Sequence, residues 1–562
     1  MTVSPPEPSA APTPVPTAPG RWSRLRGVRA HRAIIAAVGA GLVCLALVLR
    51  LAVLANAEWT IDGDEAVVGV MAQDILRGAR PVFFYGQVYL GSLEAYLVAP
   101  LFALFGVSSV VLKAAPMLLS VVHVLLVYWL AVRAFNPWIG AVAGLLAAVP
   151  PLYITVNAGR ALGGYPETLV FGDLLLLLAV VAAPGNRLRP AYFAAMGLTA
   201  GVGVWTHLLI AHYLLPVGLF LLVREPLLPL RLSFWIAVAW ALVGSAPLWQ
   251  FNLANHWATV AYFVNGAAEA GTVSLRAILI FWLQAPLSYA LGIAHPWGPL
   301  SPVLGMVRAL VVVAGLLWLG EHALRDSHWR RGAARSVSPA VLLLAFVLFL
   351  PVLYVVTGYG AWALLAPDID FTGRYLLPVA TVAPIVIAGL AVSLARTSVF
   401  LAVATAGAIL AANAGTYTGV DYKIVFQTPY FCCWAPLPSS HTQLIANLKE
   451  RGIELVIANH WVGHRLIFES ERTLPAFDYF DVKAAGGSDR FPEYGELLER
   501  DPAPKLAYVL VRSPDEERLP LDDALDGLGV PYERWVTEPY VVYIPNTPVT
   551  PDQVVASLAY PY

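Results

Sequence analysis

Charged residues are scarce in this chain of 562 residues. Asp, Glu, Lys and Arg make up 13% of it, while 58% of the residues are hydrophobic and the mean hydropathy is +0.68. Soluble globular proteins carry about 25% charged residues. The shortage argues against an ordinary soluble protein and predicts one that crosses a membrane many times. The net charge of -1 and the absence of a long basic tail give no reason to expect nucleic acid as a partner.

Cysteine is equally scarce, with Cys44, Cys432 and Cys433 as the three in the chain. So few cysteines exclude a disulfide-built scaffold. Cys44 lies inside an apolar run, where plain packing is the expected role. For the adjacent pair Cys432 and Cys433 we expect no redox role.

The N-terminus combines a Pro/Ala/Thr-rich stretch with a basic one. Residues 1–32 are expected to form a disordered, basic, cytoplasmic tail, and some 25 mostly apolar residues follow. A cleavable signal peptide is the alternative, because Ala55-Asn56-Ala57 resembles a cleavage site. The apolar run is longer than the roughly 7–15 residues of a signal-peptide core. We therefore expect an uncleaved first transmembrane helix with its N-terminus in the cytoplasm.

Apolar stretches of about 20 residues, the length that spans a bilayer, recur along the chain. Arg-rich loops, above all "RDSHWRRGAAR" (325–335), mark the cytoplasmic side. The stretch 276–293 is expected to lie in or dip into the interface, because counting it as a crossing would move that basic loop outside. The stretch 93–109 is expected to do the same, because it is short and interrupted by Pro100. The predicted spans are 33–55, 109–133, 138–157, 166–183, 191–207, 208–223, 233–251, 303–321, 338–357, 375–395 and 398–414.

The composition changes after about residue 420. A capped amphipathic helix, a stop at Gly452 and a strand are followed by "KLAYVLVRS", typical of a strand, and by "PLDDALDGLG", typical of a short helix. The fold class predicted is therefore a polytopic all-α membrane protein of about eleven transmembrane helices (33–415) with a large first outer loop (57–108). A soluble α/β domain (420–562) is predicted on the outer face.

The stretch "IDGDE" at the start of the outer loop holds Asp62, Asp64 and Glu65. Carboxylates beside a membrane span are costly without a purpose. One interpretation is a helix cap, since Asp is favoured at a helix start. Three carboxylates in four positions exceed what a cap needs. Their repulsion is expected to raise the pKa of one of them, and a raised pKa suits a general base.

The order of these features resembles the glycosyltransferase-C superfamily over roughly residues 30–415. A basic N-terminus, one span and an outer loop opening on Asp-Glu are similar to protein O-mannosyltransferases and to the bacterial aminoarabinose transferases that act on lipid A (families 39 and 83). The passage "FGVSSVVLKAAPMLLSVVHVLLVYWLAVRAF" (105–135) and the segment "GRYLLPV" (373–379) match as well. "ANHWVGHRLIFES" (458–470) resembles the outer domains of some bacterial members, without an assigned role.

The resemblance implies a polyprenyl-phosphate sugar as donor. Asp64, with Glu65 beside it, would activate an acceptor hydroxyl that attacks the anomeric carbon with inversion. The phosphate leaves as a stable anion, so the reaction needs positive charge rather than a general acid, and arginine suits phosphate. Arg374 is the first candidate, against the alternative of an interfacial arginine reaching for headgroups. Arg160 is the second.

Other polar residues are predicted near the outer ends of the spans. Tyr165 and Glu167 are candidates for sugar contacts, although the Gly163-Gly164 turn and Pro166 also fit helix capping. His207 is a further candidate, and so is His212, with packing as the alternative for both.

Metal binding is considered at two places. Asp62-Gly63-Asp64 is an Asp-x-Asp arrangement whose oxygens suit Mg²⁺ or Mn²⁺, but the similar Asp-Glu families generally work without metal, so no cofactor is the favoured expectation. His460 and His464 are four residues apart, with no cysteine and no convincing carboxylate nearby in the sequence, and a metal is not expected there.

The function predicted is inverting sugar transfer at the outer face of a plasma membrane, most consistent with a bacterial cell envelope. The acceptor is a glycan, lipid or protein that the sequence does not specify. A transporter or lipid flippase is the alternative, although the spans show no inverted repeat and few mid-span charges. A non-catalytic membrane scaffold is a third hypothesis.

Overall fold

The computed structural model describes residues 21–270, 273–325, 337–356, 358, 360–361, 364, 373–427, 437–500, 503–512 and 516–558. The predictions for residues 1–20, for most of the basic loop 325–335 and for Cys432 and Cys433 lie outside these ranges. The helices up to residue 254 are α1 (Arg21–Asn56), α2 (Gly63–Leu76), α3 (Leu93–Phe105), α4 (Ser109–Ala134), α5 (Pro137–Ala148), α6 (Leu152–Ala158), α7 (Tyr165–Val181), α8 (Arg189–Thr206), α9 (Ala211–Arg224), α10 (Leu232–Gly244) and α11 (Ala246–Ala254).

Helices also dominate the rest of the chain. The next ones are α12 (Ala258–Ala270), α13 (Leu275–Gln284), α14 (Pro286–Ala290), α15 (Pro302–Arg325), α16 (Pro339–Val356), α17 (Val379–Leu394), α18 (Val399–Gly415) and α19 (Tyr422–Val425). The C-terminal helices are α20 (Thr442–Glu450), α21 (His460–Glu469), α22 (Pro492–Gly495), α23 (Pro520–Gly527) and α24 (Val555–Leu558).

Each of the eleven predicted spans falls on one of these helices or on a bent helix pair. By length and composition, four described helices could cross a membrane, namely the Arg32–Asn56 part of α1, α4, α15 and α16. The pairs α5–α6, bent by 76°, and α10–α11, bent by 58°, raise that number to six. The membrane-embedded, largely helical architecture is as predicted, whereas the count of eleven crossings stays a prediction.

Proline explains the break between α5 and α6. Pro150 and Pro151 follow the end of α5, and a proline lacks the backbone donor and disfavours helix in the residue before it. Asn413 of α18 donates to the carbonyl of Val149 (2.6 Å), and Thr416 accepts from the backbone N–H of Leu152 (2.8 Å). These bonds satisfy backbone groups that the break leaves without helical partners.

A buried polar network ties four helices together inside the bundle. Asp173 of α7 bonds His123 of α4 (2.6 Å) and accepts from Thr381 of α17, whose hydroxyl in turn bonds Tyr213 of α9 (3.0 Å). Buried polar groups are costly unless they are hydrogen-bonded. This network therefore fixes how α4, α7, α9 and α17 face one another.

The C-terminal part folds around a five-stranded sheet of order β2-β1-β3-β5-β4. Its strands are β1 (Leu455–Ala458), β2 (Ala476–Phe477), β3 (Leu506–Val511), β4 (Tyr532–Thr537) and β5 (Tyr540–Pro545). β1 runs parallel to β2 and β3, and β5 is antiparallel to β3 and β4. The predicted helix before Gly452, the strands and the short helix 520–527 are all found. Gly452 adopts φ +64°, a left-handed conformation that favours glycine at a helix end.

This sheet shares its hydrophobic core with the segment 57–108, which was predicted to be an outer loop. Buried residues of α2 and α3 belong to the same cluster as those of β1, β3 and α21. Two glycines of α2 permit the contact. A Cβ on Gly63 would lie 2.8 Å from the carbonyl oxygen of His460, and one on Gly69 would lie 2.5 Å from the ring of Phe468. α21 therefore docks directly onto α2, and 420–562 as a separate domain stays a prediction.

A half-buried carboxylate connects α21 to the residue that precedes α20. Glu469 bonds the backbone N–H and the ring Nδ1 of His441 (the latter 2.8 Å) and accepts from Arg465 (3.2 Å). Burial alone would raise the pKa of Glu469, but His441 and Arg465 outweigh it and lower that pKa from 4.5 to about 2. A depressed carboxylate pKa stabilises the fold above the unfolded-state pKa, and the stabilisation is lost as pH falls.

Glu469→Gln is expected to remove a pH-dependent part of the stability. Between pH 4.5 and 2 the wild type loses roughly 2–3 kcal/mol from this group, whereas the variant lacks that loss and is less stable at neutral pH. Thermal unfolding in detergent from pH 2 to 7 measures the difference. The exposed Glu450→Gln serves as the control. Parallel pH profiles for Glu469→Gln and wild type would contradict the assignment.

Candidate functional site

The N-terminus of α2 is closed by a reciprocal cap. Asp62 Oδ1 accepts from the backbone N–H of Glu65 (2.9 Å), and Glu65 Oε2 accepts from that of Asp62 (3.2 Å). Asp62 Oδ2 also accepts from Arg160 (2.9 Å), which donates to the carbonyl of Phe426 as well (2.9 Å). The capping interpretation therefore describes Asp62, and the structure places Arg160 against this cap.

Glu65 forms a buried ion pair with Lys113. Both of its oxygens accept from Lys113 of α4, at 2.6 and 2.8 Å, and Oε1 also accepts from the backbone N–H of Ala161 (2.8 Å). The side chains of Glu65 and Lys113 are completely buried. Lys113 Nζ also lies 4.3 Å from the centre of the Phe426 ring. Glu65 thus anchors α2 to the membrane bundle.

Asp64 faces a different direction. Its side chain is 21% exposed and lies beside α21, where His460 Nε2 is 3.1 Å and Arg490 Nη2 is 3.8 Å from Oδ1. Successive residues of an α-helix point about 100° apart. The burial of Glu65 therefore turns Asp64 toward the junction with the C-terminal part.

The surroundings of the motif shift the pKa values of Asp64 and Glu65 in opposite directions. Burial would raise the pKa of Asp64, but the hydrogen bond from His460 and the positive charges of His460, Arg490 and Arg374 lower it well below its usual range. Burial raises the pKa of Glu65, with a contribution from Asp62, against the opposing effect of Lys113. The raised pKa expected at this motif is thus on Glu65 and not on Asp64, because the cations around Asp64 outweigh the effect of its burial.

An arginine and several aromatic rings lie close together in the helical part of the chain, near Asp64. Arg374, in the turn Gly373–Leu376 before α17, lies 5.5 Å from the ring centres of both Tyr165 and Tyr375. Tyr165, at the start of α7, lies 4.6 Å from the ring of His207. Because the charge of Arg374 also acts on Asp64, the structure brings together Asp64, Arg374, Tyr165 and His207.

A turn formed by Gly163 and Gly164 directly precedes Tyr165. Gly163 donates to Glu94 Oε2 of α3 (2.6 Å), and Gly164 adopts φ +101° directly before Tyr165. A Cβ on Gly164 would lie 3.0 Å from the Thr206 carbonyl oxygen, so the turn brings α7 close to the end of α8. Glu167 is buried one turn further along, and its role as a sugar contact stays a prediction.

The site has three contributors that were not predicted from the sequence, namely Lys113, Glu94 and Arg490. A lone lysine inside the predicted second span was itself a signal, since such charges are costly and usually functional or paired. Arg490 is 426 residues from Asp64 in the chain, and no local pattern marks it.

One group of possible metal ligands occurs among the described residues. It consists of His460, Asp478 and Asp481, whose ligand atoms all lie within 4.8 Å of one another. The expectation against a metal at His460 rested on a lack of nearby carboxylates, and that reason was wrong because β2 and the turn after it bring two of them there. His464, buried beside His460, is not in the group.

Residues 92–251 match the family model of dolichyl-phosphate-mannose-protein mannosyltransferases. The fold resembles ArnT from Cupriavidus metallidurans bound to undecaprenyl phosphate, at 15% identity and a TM-score of 0.56, covering 93% of this chain and 99% of that one. The apo form of the same protein gives 14%, 0.56, 93% and 99%. A weaker likeness is to the Archaeoglobus fulgidus oligosaccharyltransferase AglB in complex with an inhibitory peptide and a dolichol-phosphate, at 14%, 0.48, 84% and 69%. No curated protein matches the sequence.

The family match confirms the predicted resemblance to membrane glycosyltransferases and the predicted enzyme class, a glycosyltransferase. The likeness to ArnT extends over nearly the whole chain and shows a shared fold. The match at 92–251 includes Lys113, Arg160, Tyr165, Glu167 and His207 but not Asp64. The roles of the individual site residues stay predictions.

Lys113→Met is expected to destabilise the protein by about 3–5 kcal/mol, because it leaves the carboxylate of Glu65 buried without a counter-charge. The double variant Glu65→Gln/Lys113→Met should recover part of this loss, since Gln carries no charge and its carbonyl oxygen can still accept from Ala161, although its NH₂ group cannot accept from the backbone N–H of Asp62. Thermal unfolding in detergent compares the single and double variants. Equal losses in both would contradict the ion pair as the reason.

Proposed function

We propose that this glycosyltransferase moves a sugar from a polyprenyl-phosphate donor to an acceptor hydroxyl, with inversion, at the outer face of the membrane. One observation carries the proposal. Of the three carboxylates in "IDGDE", Asp64 alone has no part in the cap or in the ion pair of Glu65, and it sits partly exposed among cations. A side chain placed in this way can meet a substrate.

Asp64 and Arg374 have different roles in the proposed reaction. The oxygen of the acceptor hydroxyl attacks the anomeric carbon, and Asp64 accepts the proton of that hydroxyl. The bond between the anomeric carbon and the phosphate oxygen breaks on the opposite face of the carbon. The phosphate keeps the electron pair of that bond. Arg374 stabilises the departing anion, because positive charge placed where negative charge develops lowers the barrier. No general acid is needed for this leaving group.

Donor binding itself would prepare the base. The charge of Arg374 is one cause of the low pKa of Asp64. A phosphate bound to Arg374 offsets that charge, so the pKa of Asp64 rises toward the range in which a carboxylate accepts protons efficiently.

The comparisons support the class of donor. The matching family model is described by dolichyl-phosphate-mannose, and the ArnT structure holds undecaprenyl phosphate. Both are lipid phosphates with a polyprenyl-type chain. Arg374, Tyr165 and His207 supply the cation and the flat surfaces that a phosphate and a sugar ring require. The outer-face orientation rests on the basic loops in the sequence, and the acceptor is left open.

Asp64→Asn is expected to lower kcat by about 10²–10⁴-fold, the usual contribution of a general base, with little change in donor affinity. Transfer of radiolabelled sugar from a panel of polyprenyl-phosphate sugars into membrane products measures it. Asp523→Asn, the same change at an exposed position, is the control. Transfer by Asp64→Asn at the wild-type rate would refute Asp64 as the base, and lipid or solute movement that survives the change would favour a transporter.

A further inference from the structure

Three potential metal ligands converge where the C-terminal part meets α2. His460 is the first residue of α21, Asp478 follows β2, and Asp481 lies in the helical turn Phe480–Ala484. Their ligand atoms lie within 4.8 Å of one another. Atoms that one ion binds at about 2.0–2.2 Å lie at most about 4.4 Å apart, so side-chain shifts of a few tenths of an ångström would bring all three within reach of one ion.

The group contains a buried acceptor that has no hydrogen bond of normal geometry. Asp478 is 7% exposed. Its Oδ1 accepts from the backbone N–H of Asp481 (3.0 Å), whereas Oδ2 is buried with no hydrogen bond of normal geometry, although the backbone N–H of His460 is near. A buried carboxylate oxygen without a partner is costly. It points to a missing ligand.

Space for such a ligand is present. All three side chains line a cavity of about 10 Å³, which is about the room that one water molecule or one ion requires. Arg490 also lines it, but its guanidinium group donates to the carbonyl of Tyr85 (2.9 Å) and lies 3.8 Å from Asp64. The carboxylates of Asp478 and Asp481 face the cavity with two negative charges.

The second ring nitrogen of His460 also has the partner that is typical of a metal-binding histidine. Its Nε2 contacts Asp64 Oδ1 at 3.1 Å, so Nδ1 is the nitrogen left for an ion. Histidines that bind metals almost always donate their other N–H to a carboxylate or carbonyl, which fixes the ring and its tautomer. Asp64 occupies the place of that carboxylate.

We infer that His460, Asp478 and Asp481 form a binding site for a divalent transition-metal ion of the Zn²⁺ or Mn²⁺ class. One imidazole and two carboxylates suit such ions better than Ca²⁺, which takes six to eight oxygen ligands. The site is distinct from Asp62-Gly63-Asp64, whose Asp62 is already bonded to Arg160 and to the cap. Its ion would hold His460 in position against Asp64 and tie α21 to β2.

The test uses metal binding alone, so it does not depend on the proposed transfer reaction. The full chain in detergent is stripped with a chelator and titrated calorimetrically with Zn²⁺ and, separately, Mn²⁺. We expect one tight site in wild type. Asp478→Asn and Asp481→Asn should each weaken it by at least about 10-fold, because even outer-shell partners change metal affinity 10–100-fold. Asp523→Asn is the matched control.

Two results would overturn the inference. One is a stripped wild type that takes up neither ion tightly, and the other is an affinity that both Asp variants retain. Pulsed EPR of the Mn²⁺-loaded wild type covers the case in which the variants misfold. Nitrogen hyperfine coupling from an imidazole supports the site, and its absence contradicts His460 as a ligand. Sugar transfer with an empty metal site would leave the proposed function standing, and metal binding without transfer would leave the site standing.

Discussion

The buried ion pair between Glu65 and Lys113 is the constraint on which the site depends. Both side chains are completely removed from solvent, and separating such charges in a low-dielectric interior is costly. The pair therefore sets both the height and the rotation of α2 above the bundle. Because Glu65 points toward Lys113 of α4, the angle of about 100° between successive helix residues directs Asp64 toward the junction with α21.

The second constraint is steric. Gly63 and Gly69 let α21 approach α2 so closely that a methyl group at either position would collide with it. This approach brings His460 to Asp64, and the same core brings Arg490 to the same carboxylate oxygen, Oδ1. The glycine between the two aspartates of "IDGDE" is thus explained by contact between two helices rather than by a metal-binding loop. The C-terminal part completes the site instead of hanging beside it.

The helices could be predicted because membrane spans and amphipathic segments are local patterns. Helix bounds followed the apolar runs closely, and Gly452 marked a helix end as expected. The number of crossings is less predictable, since prolines divide runs such as 138–157 into pieces too short to judge by length. Asp64 could be singled out as a candidate from the sequence because the motif itself is dense in charge. The division of labour within the motif was not, because it is decided by partners such as Lys113 and His460 that lie 48 and 396 residues away.

The balance of charge shows why an acidic motif can serve an anionic substrate. Three carboxylates in four positions suggest a cation site when the sequence is considered alone. In the fold, each carboxylate is met by permanently cationic side chains, and the set is Lys113 on Glu65, Arg160 on Asp62, and Arg490 and Arg374 near Asp64. Asp478 and Asp481 add negative charge beyond His460, so the effect of these cations is local to the carboxylates they face. The cations nearest Asp64 keep its carboxylate ionised while the site is free, and Arg374 is the group that the phosphate of the proposed donor would meet.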